Sequence, residues 1–119
     1  MPRILVVDSD PAVANLTGRV LVRNGFNVVA AHDGVEALSR WEAEEPDLVL
    51  LEINLPKRNG FEVCEDIRRQ ASTPVVMLTT RKDEVDVLHS FEVGADDYIT
   101  KPYSPQQLVM LIAAILRRR

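Results

Sequence analysis

The feature that most constrains the fold of this 119-residue sequence is a series of short apolar runs, each followed by a segment with helical spacing. The runs cover residues 3–7, 26–31, 48–53, 75–79 and 98–100. Runs of this kind are typical of parallel strands that helices cover on both faces. Strands that alternate with helices at this spacing predict an α/β domain with a doubly wound sheet of five strands and five helices.

Capping and breaking residues predict where the helices begin and end. Asp10-Pro11 and Ser104-Pro105 each combine a capping side chain with proline at the first helical position. Asn59-Gly60 predicts a turn before the third helix, and Asp83 is the predicted cap of the fourth. Gly94 is expected to end that fourth helix.

Composition indicates a soluble globular domain over residues 1–119, with 46% apolar and 27% charged residues. The net charge of −4 argues against a nucleic-acid-binding surface. The most apolar stretch, Leu108–Leu116, is far shorter than the ~20 residues of a membrane span. No signal peptide is expected, and Cys64, the one cysteine, cannot form an internal disulfide. A cytoplasmic location and no membrane contact are therefore expected.

Polar side chains follow the apolar runs, and the carboxyl ends of parallel strands meet at one edge of the sheet, where ligands bind. The residues expected at this edge are Asp8, Ser9, Asp10, Glu52, Asn54, Thr79, Thr80 and Lys101. Carboxylates favour a hard cation such as magnesium, whereas a lysine beside a hydroxyl favours phosphoryl oxygens. His32 follows an edge strand and is expected to lie outside this crevice.

Ordered motifs extend over nearly the whole chain and resemble the bacterial response-regulator receiver family. They are Ile4–Pro11, Pro46–Glu52, Leu55-Pro56, Asn59-Gly60, Pro74-Val75, Leu78-Thr79, Gly94–Tyr98 and Lys101-Pro102. The resemblance implies a flavodoxin-like fold with strand order 2-1-3-4-5. Residues 94–105 are most similar to the subfamily whose receiver precedes a winged-helix DNA-binding domain. The function implied is signal transduction in a transcriptional regulator, of which residues 1–119 would be one part, and not an enzymatic activity.

In that family an aspartate accepts a phosphoryl group from a histidine kinase with the help of magnesium. The resemblance gives the matching positions in this sequence. Asp8 matches a metal-binding acid, Ser9 occupies the place of the second acid, and Glu52 occupies the acceptor position. The remaining matches are Asn54 for a backbone metal ligand, Thr79 and Tyr98 for the switch, Lys101 for the phosphate-binding lysine, and Pro102 for a cis-proline.

Two departures, Glu52 and Ser9, fall in the same site. The additional methylene of Glu52 extends its carboxylate by ~1.5 Å, and a misplacement of ~1 Å costs in-line transfer ~100-fold. Ser9 removes an anionic ligand, and Asp10 is expected to be used as a helix cap. We therefore expect no cofactor, or weak magnesium binding at Asp8. Lys101 is expected to pair directly with Glu52, which would imitate a phosphorylated aspartate and uncouple the domain from phosphorylation.

Three alternatives remain open at this point. The chain is also compatible with a receiver that is still phosphorylated in a magnesium-dependent way, or with an engineered phosphomimic, although Ser9 argues against deliberate design. A flavodoxin-like cofactor binder would need a loop that cradles phosphate after the first strand. Residues 8–11 are too acidic for that role without a metal.

The last predicted helix is apolar on nearly all sides, which indicates an association surface. We expect a homodimer through the fourth helix, the fifth strand and the fifth helix, as the resemblance implies. The residues expected at the interface are Asp96, Asp97, Val109, Met110, Leu111 and Ala113. A sensor histidine kinase as partner is left open, and DNA contacts would come through an output domain. His89 is not expected to be a ligand.

Overall fold

The computed structural model describes residues 1–80 and 84–118, apart from the side chain of Thr79. The strands are β1 (Arg3–Val7), β2 (Asn27–Ala31), β3 (Leu48–Leu51), β4 (Val75–Thr79) and β5 (Asp97–Thr100). The helices are α1 (Pro11–Arg23), α2 (Gly34–Glu44), α3 (Gly60–Gln70), α4 (Glu84–Glu92) and α5 (Pro105–Arg117). Among the described residues, no helix is both long and apolar enough to span a bilayer.

The five strands form one parallel sheet in the order β2-β1-β3-β4-β5, which confirms the predicted fold class. Apolar side chains pack on both faces of the sheet. Helices α1 and α5 cover one face through residues such as Leu21 and Ile112, and α2 and α3 cover the other through Trp41 and Ile67. The strand order reverses between β1 and β3, so a crevice is expected at the carboxyl ends of these two strands.

The path after β3 differs from the sequence-based expectation. The strand ends at Leu51, not at residue 53, because the main chain turns back on itself immediately afterwards. The Leu55 and Gly60 amides both donate to the Ile53 carbonyl oxygen, at 3.0 and 2.8 Å. Ile53 is still buried, but it belongs to the turn. Asn59 caps α3 in a capping box with Glu62, so the predicted turn at this position is also the start of a helix.

Smaller differences occur at other element boundaries. β2 begins at Asn27 and β5 at Asp97, one residue away from the predicted starts. Asp10 and Ser104 cap α1 and α5 as expected. Gly94, with a φ of 103°, lies two residues beyond the end of α4. The predicted cap at Asp83 lies outside the described residues.

Helix α5 has an almost entirely apolar sequence, but only some of its apolar side chains are buried. Leu108, Ile112 and Ile115 are buried against the sheet, whereas the Met110 side chain is 70% exposed. The helix therefore has one core face and one accessible flank, as is usual for a helix that packs on a sheet. Its apolar composition is explained only in part by burial.

Cys64 is fully buried in α3, and its Sγ donates to the Val93 carbonyl oxygen at 3.6 Å. Burial raises the pKa of the Cys64 thiol to about 11. The thiol is therefore protonated at neutral pH, which agrees with a structural role for this cysteine.

We expect Gly60→Ala to lower the free energy of unfolding by about 2 kcal/mol, because it overpacks the turn that carries Glu52. A Cβ at residue 60 would fall on the Glu52 carbonyl oxygen and within 2.8 Å of the Ile53 Cα. Both are backbone atoms that cannot rotate away. Urea denaturation of the two proteins measures the difference.

Gly18→Ala is the matched control for Gly60→Ala. A Cβ at residue 18 would lie 3.4 Å from the Val28 Cγ1, which is an ordinary contact. The change also removes a glycine from the interior of α1, and alanine is favoured there by about 1 kcal/mol. Equal stabilities of the two variants would show that the turn after β3 is not tightly packed.

Candidate functional site

The centre of the candidate site is the Lys101 ammonium, which lies between two carboxylates. Asp8 follows β1, Glu52 follows β3 and Lys101 follows β5. The Lys101 Nζ is 2.7 Å from the Asp8 Oδ2 and 3.0 Å from the Glu52 Oε2. The contact with Asp8 is a well-formed hydrogen bond. The contact with Glu52 is an ion pair with poorer alignment, since the Glu52 Oε2 has no hydrogen bond of good geometry with a described residue.

Both carboxylates are removed from solvent. Asp8 is 5% exposed and Glu52 is 7% exposed, while the Lys101 side chain is 19% exposed. Two carboxylates in a shared buried site repel each other, and each loses hydration. The Lys101 ammonium contacts both carboxylates and offsets the repulsion between them in this three-residue bridge.

Backbone amides support the outer oxygens of the same carboxylates. The Asp10 amide donates to the Asp8 Oδ1 at 2.9 Å, and the Asn54 amide points to the Glu52 Oε1 at a longer distance of 3.5 Å. Each carboxylate therefore has one oxygen directed at Lys101 and the other at the main chain. This arrangement fixes the orientation of the Asp8 carboxylate more firmly than that of Glu52.

The pKa of Lys101 is raised above its usual value of 10.5 by a balance of opposing effects. Burial alone lowers the pKa of Lys101, but the hydrogen bond to Asp8, the close contact with Glu52 and the negative charges of both residues outweigh burial. A raised pKa means that the folded state holds the proton more tightly than the unfolded chain does. The resulting stabilisation is complete below the unfolded pKa and is lost as the pH rises through the folded pKa.

We therefore expect the stability advantage of the protein over Lys101→Met to be constant up to a pH of about 9 and to shrink above about 10.5. Urea denaturation of both proteins at several pH values between neutral and strongly alkaline measures this advantage. If the advantage disappeared between pH 7 and about 9, the raised pKa of Lys101 would be contradicted.

The remaining predicted site residues do not contact the Lys101 ammonium in any hydrogen bond or ion pair among the described residues. The Asp10 side chain accepts from the Ala12 amide and is used as the cap of α1, as expected. Ser9 is exposed at the rim, and Asn54 is also exposed. The Tyr98 ring packs against the core cluster that includes Met77. The Lys101-Pro102 peptide bond is cis. The Thr79 side chain lies outside the described residues.

The expected pairing of Lys101 with Glu52 is present, but Lys101 also has a second carboxylate partner. The shorter of the two contacts is with Asp8, which the sequence-based interpretation had placed as a metal ligand and not as the partner of Lys101. Glu52 and Asp8 therefore share one ammonium.

The donor set does not fit a magnesium site. One oxygen of each carboxylate already faces the Lys101 ammonium, and a cation in that place would have to displace it. Ser9 offers a neutral hydroxyl at a position where an anionic ligand would favour a hard cation. Within residues 1–80 and 84–118, no group of three or more His, Cys, Asp or Glu side chains is arranged to hold a metal ion.

Sequence reasoning missed two supports of this site. His32 Nδ1 is 3.1 Å from the Asp8 carbonyl oxygen, although His32 was expected outside the crevice. The β1–β2 register places Val7 beside Ala31, so the next residues of both strands are also neighbours. In addition, the Tyr103 hydroxyl is 2.8 Å from the Thr17 Oγ1, which ties the segment after Lys101 to α1.

Several residues expected at an interface already have contacts within the chain. The Asp96 carboxylate accepts from the Val75 amide at 2.8 Å and from Arg68 at 3.1 Å. The Asp97 Oδ1 accepts from the Tyr98 amide. Val109 and Met110 border a shallow groove beside Asn24, which places them on the flank of α5 that faces α1.

Leu111 and Ala113 are half-buried. His89, which was not expected to be a ligand, packs edge to face on the Phe61 ring with a centroid distance of 4.3 Å.

Comparison with known proteins gives the family. Residues 4–113 match the response regulator receiver domain. The chain belongs to the response regulator receiver family. This receiver is 45% identical, over 98% of its length, to the alkaline phosphatase synthesis transcriptional regulatory protein PhoP of Bacillus subtilis. It is 47% identical, again over 98% of its length, to the DNA-binding response regulator MtrA of Mycolicibacterium smegmatis.

The receiver spans about half the length of these curated relatives, 49% of PhoP and 51% of MtrA. Among solved structures, it superposes on the BeF3-activated N-terminal receiver domain of Klebsiella pneumoniae RstA with a TM-score of 0.94. The two are 36% identical, and the match covers 97% of this receiver and 98% of that chain. The predicted resemblance to the receiver family is thus confirmed.

Proposed function

We propose that this receiver is a signalling module that works without phosphorylation, and that Lys101 acts as a built-in counter-ion in place of a metal and a phosphoryl group. The observation that carries the proposal is the position of the Lys101 ammonium, 2.7 Å from Asp8 and 3.0 Å from Glu52. An incoming phosphoryl group would have to compete with two buried carboxylates for the Lys101 ammonium.

Glu52 contributes to the same outcome through its length. Its carboxylate reaches Lys101 directly, so a negative charge lies at the lysine, where a phosphoryl oxygen would otherwise bind. The carboxylate is also displaced from the position at which an aspartate would attack, and in-line transfer is sensitive to such displacement. Magnesium binding is at most weak because Ser9 supplies no negative charge. Neither a phosphoryl group nor a magnesium ion would then change the charge of this site.

Incubation with acetyl phosphate and magnesium, followed by intact-mass spectrometry, tests the proposal. We expect no gain of a phosphoryl group. Glu52→Gln is the matched control for any labelling at another residue, because it keeps the length of the side chain and removes its charge. A gain of one phosphoryl group in the parent protein, absent in Glu52→Gln, would overturn the proposal.

We further propose that the receiver acts through protein contacts in a transcriptional regulator, as the names of PhoP and MtrA suggest for those relatives. A homodimer through α4, β5 and α5 is supported by apolar side chains on α4. Val85, Leu88 and Phe91 are 76%, 55% and 46% exposed. Contact with DNA through an output domain belongs to the same proposal, whereas a histidine kinase as partner stays open. Sedimentation equilibrium that showed a monomer at high concentration would contradict the homodimer.

A further inference from the structure

A second surface, remote from the Lys101 bridge, lies at the open edge of the sheet. We call it the α1–β2 groove, an open groove of about 480 Å³ between helix α1 and the edge strand β2. It is lined by Ala14, Asn15, Gly18, Arg19, Val22, Arg23, Val28 and Ala30. The α1 members recur every four residues and therefore form one stripe along the helix. The β2 members alternate along the strand and therefore share one face of the sheet.

The floor of the α1–β2 groove is apolar and incompletely covered. Val22 is 59% exposed, and Val28 and Ala30 are half-buried although they lie on the face of the sheet that α1 covers. Gly18 keeps the groove open because it adds no side chain between α1 and Val28. Strand β2 has β1 as its neighbour on one side and no described strand on the other. The groove therefore leaves a small apolar surface accessible beside an unpaired strand edge, to which a partner can add.

The rim of the groove is basic in a protein that is otherwise acidic. Arg19 and Arg23 line the groove, and neither guanidinium forms an ion pair with a described residue. Helix α1 contains no Asp or Glu, whereas the whole chain has a net charge of −4. A second copy that docked through the same helix would bring its own Arg19 and Arg23 against these arginines, so like charges would repel at this surface. An acidic partner would be attracted.

We infer that the α1–β2 groove binds an amphipathic helix of a partner protein, with an apolar stripe flanked by acidic side chains. The stripe from Ala14 to Val22 covers about 12 Å of α1, which corresponds to about two turns of a helix lying alongside it. The apolar stripe of the partner would cover Val22, Val28 and Ala30. Its acidic side chains would pair with Arg19 and Arg23. This inference does not depend on the state of the Lys101 bridge.

The test uses two designed peptides of about 18 residues, a length at which an isolated helix begins to be stable. Both carry leucine at helical i, i+3, i+4, i+7 spacing, one with flanking glutamates and the other with flanking lysines. Backbone amide shifts of the protein are followed during titration with each peptide. We expect the glutamate peptide to shift the amides of α1 and β2, and to bind roughly tenfold more tightly than the lysine peptide.

Variants assign the binding to the groove. Val22→Glu is expected to lower the affinity for the glutamate peptide at least tenfold, whereas Leu16→Glu is expected to leave this affinity unchanged. Leu16 lies on the same helix and is similarly exposed at 62%, but it does not line the groove. The double variant Arg19→Glu/Arg23→Glu is expected to reverse the preference and favour the lysine peptide.

Three results would overturn the inference. The first is equal affinity for the two peptides, or no amide shift with either of them. The second is a set of shifts centred on α4 and α5. The third is a concentration-dependent shift of the α1 and β2 amides without peptide, which would assign the groove to a second copy of the chain.

Discussion

The double variant Ser9→Asp/Glu52→Asp is expected to gain a phosphoryl group from acetyl phosphate in a magnesium-dependent reaction. In the parent protein the Glu52 Oε2 lies 3.0 Å from the Lys101 Nζ. Shortening residue 52 by one methylene withdraws its carboxylate from this ammonium. An aspartate at residue 9 adds an anionic oxygen ligand beside Asp8, which favours a hard divalent cation. The ammonium then keeps Asp8 as its carboxylate partner, and the place of the Glu52 contact is free for a phosphoryl oxygen. Because placement alone affects in-line transfer ~100-fold per ~1 Å, we expect a rate gain of at least ~100-fold over the parent protein.

Intact-mass spectrometry over time, with and without magnesium, measures the gain. The single variants Ser9→Asp and Glu52→Asp are the controls, and each is expected to be labelled more slowly than the double variant because each restores one half of the site. Adding Lys101→Met to the double variant is expected to slow labelling again. A double variant that stayed unlabelled, with its fold confirmed by circular dichroism, would show that these two positions do not account for the proposed loss of phosphorylation.

Lys101→Met is expected to lower the free energy of unfolding at neutral pH by about 3 kcal/mol, because it leaves two buried carboxylates without a counter-charge. Asp8 and Glu52 are 5% and 7% exposed, so solvent compensates little of the lost charge. Urea denaturation measures the change. The same variant is expected to be stabilised by millimolar magnesium more than the parent protein is, because a cation can then occupy the place of the ammonium.

Two further variants identify the cause of this loss. Lys101→Met/Glu52→Gln removes one of the unpaired charges and is expected to recover roughly half of the lost stability. Lys57→Met removes a lysine whose side chain is 64% exposed and 3.5 Å from Asp33. The effect of that change is expected to stay within about 0.5 kcal/mol. If Lys57→Met and Lys101→Met cost the same, the contribution of burial to the Lys101 bridge would be refuted.

The convergence of Asp8, Glu52 and Lys101 was predictable from the sequence because the carboxyl ends of parallel strands meet at one edge of a sheet. The alternation of apolar runs and helical segments was sufficient for this, and it also gave the fold class. The capping residues Asp10 and Ser104 were predictable for a similar reason, since their chemistry is local and needs no tertiary contact.

The details that depend on tertiary packing were not predictable in this way. The distances from the Lys101 Nζ to Asp8 and to Glu52 differ by only a few tenths of an ångström, which a sequence pattern does not resolve. The contact of His32 with the Asp8 carbonyl follows from the β1–β2 register, which apolar patterning alone does not reveal. The early end of β3 results from hydrogen bonds to Ile53 from residues further along the chain.

The hydrogen bond between Asp8 and Lys101 joins residues that are 93 positions apart in a chain of 119. To form a contact between such distant residues, the chain must close a very long loop, which costs conformational entropy and slows folding. During synthesis, Asp8 and Glu52 leave the ribosome long before Lys101 does. Any nascent chain that has not reached residue 101 therefore carries two acidic side chains without their lysine. A protein truncated before that residue would lack the positive charge that holds Asp8 and Glu52 together.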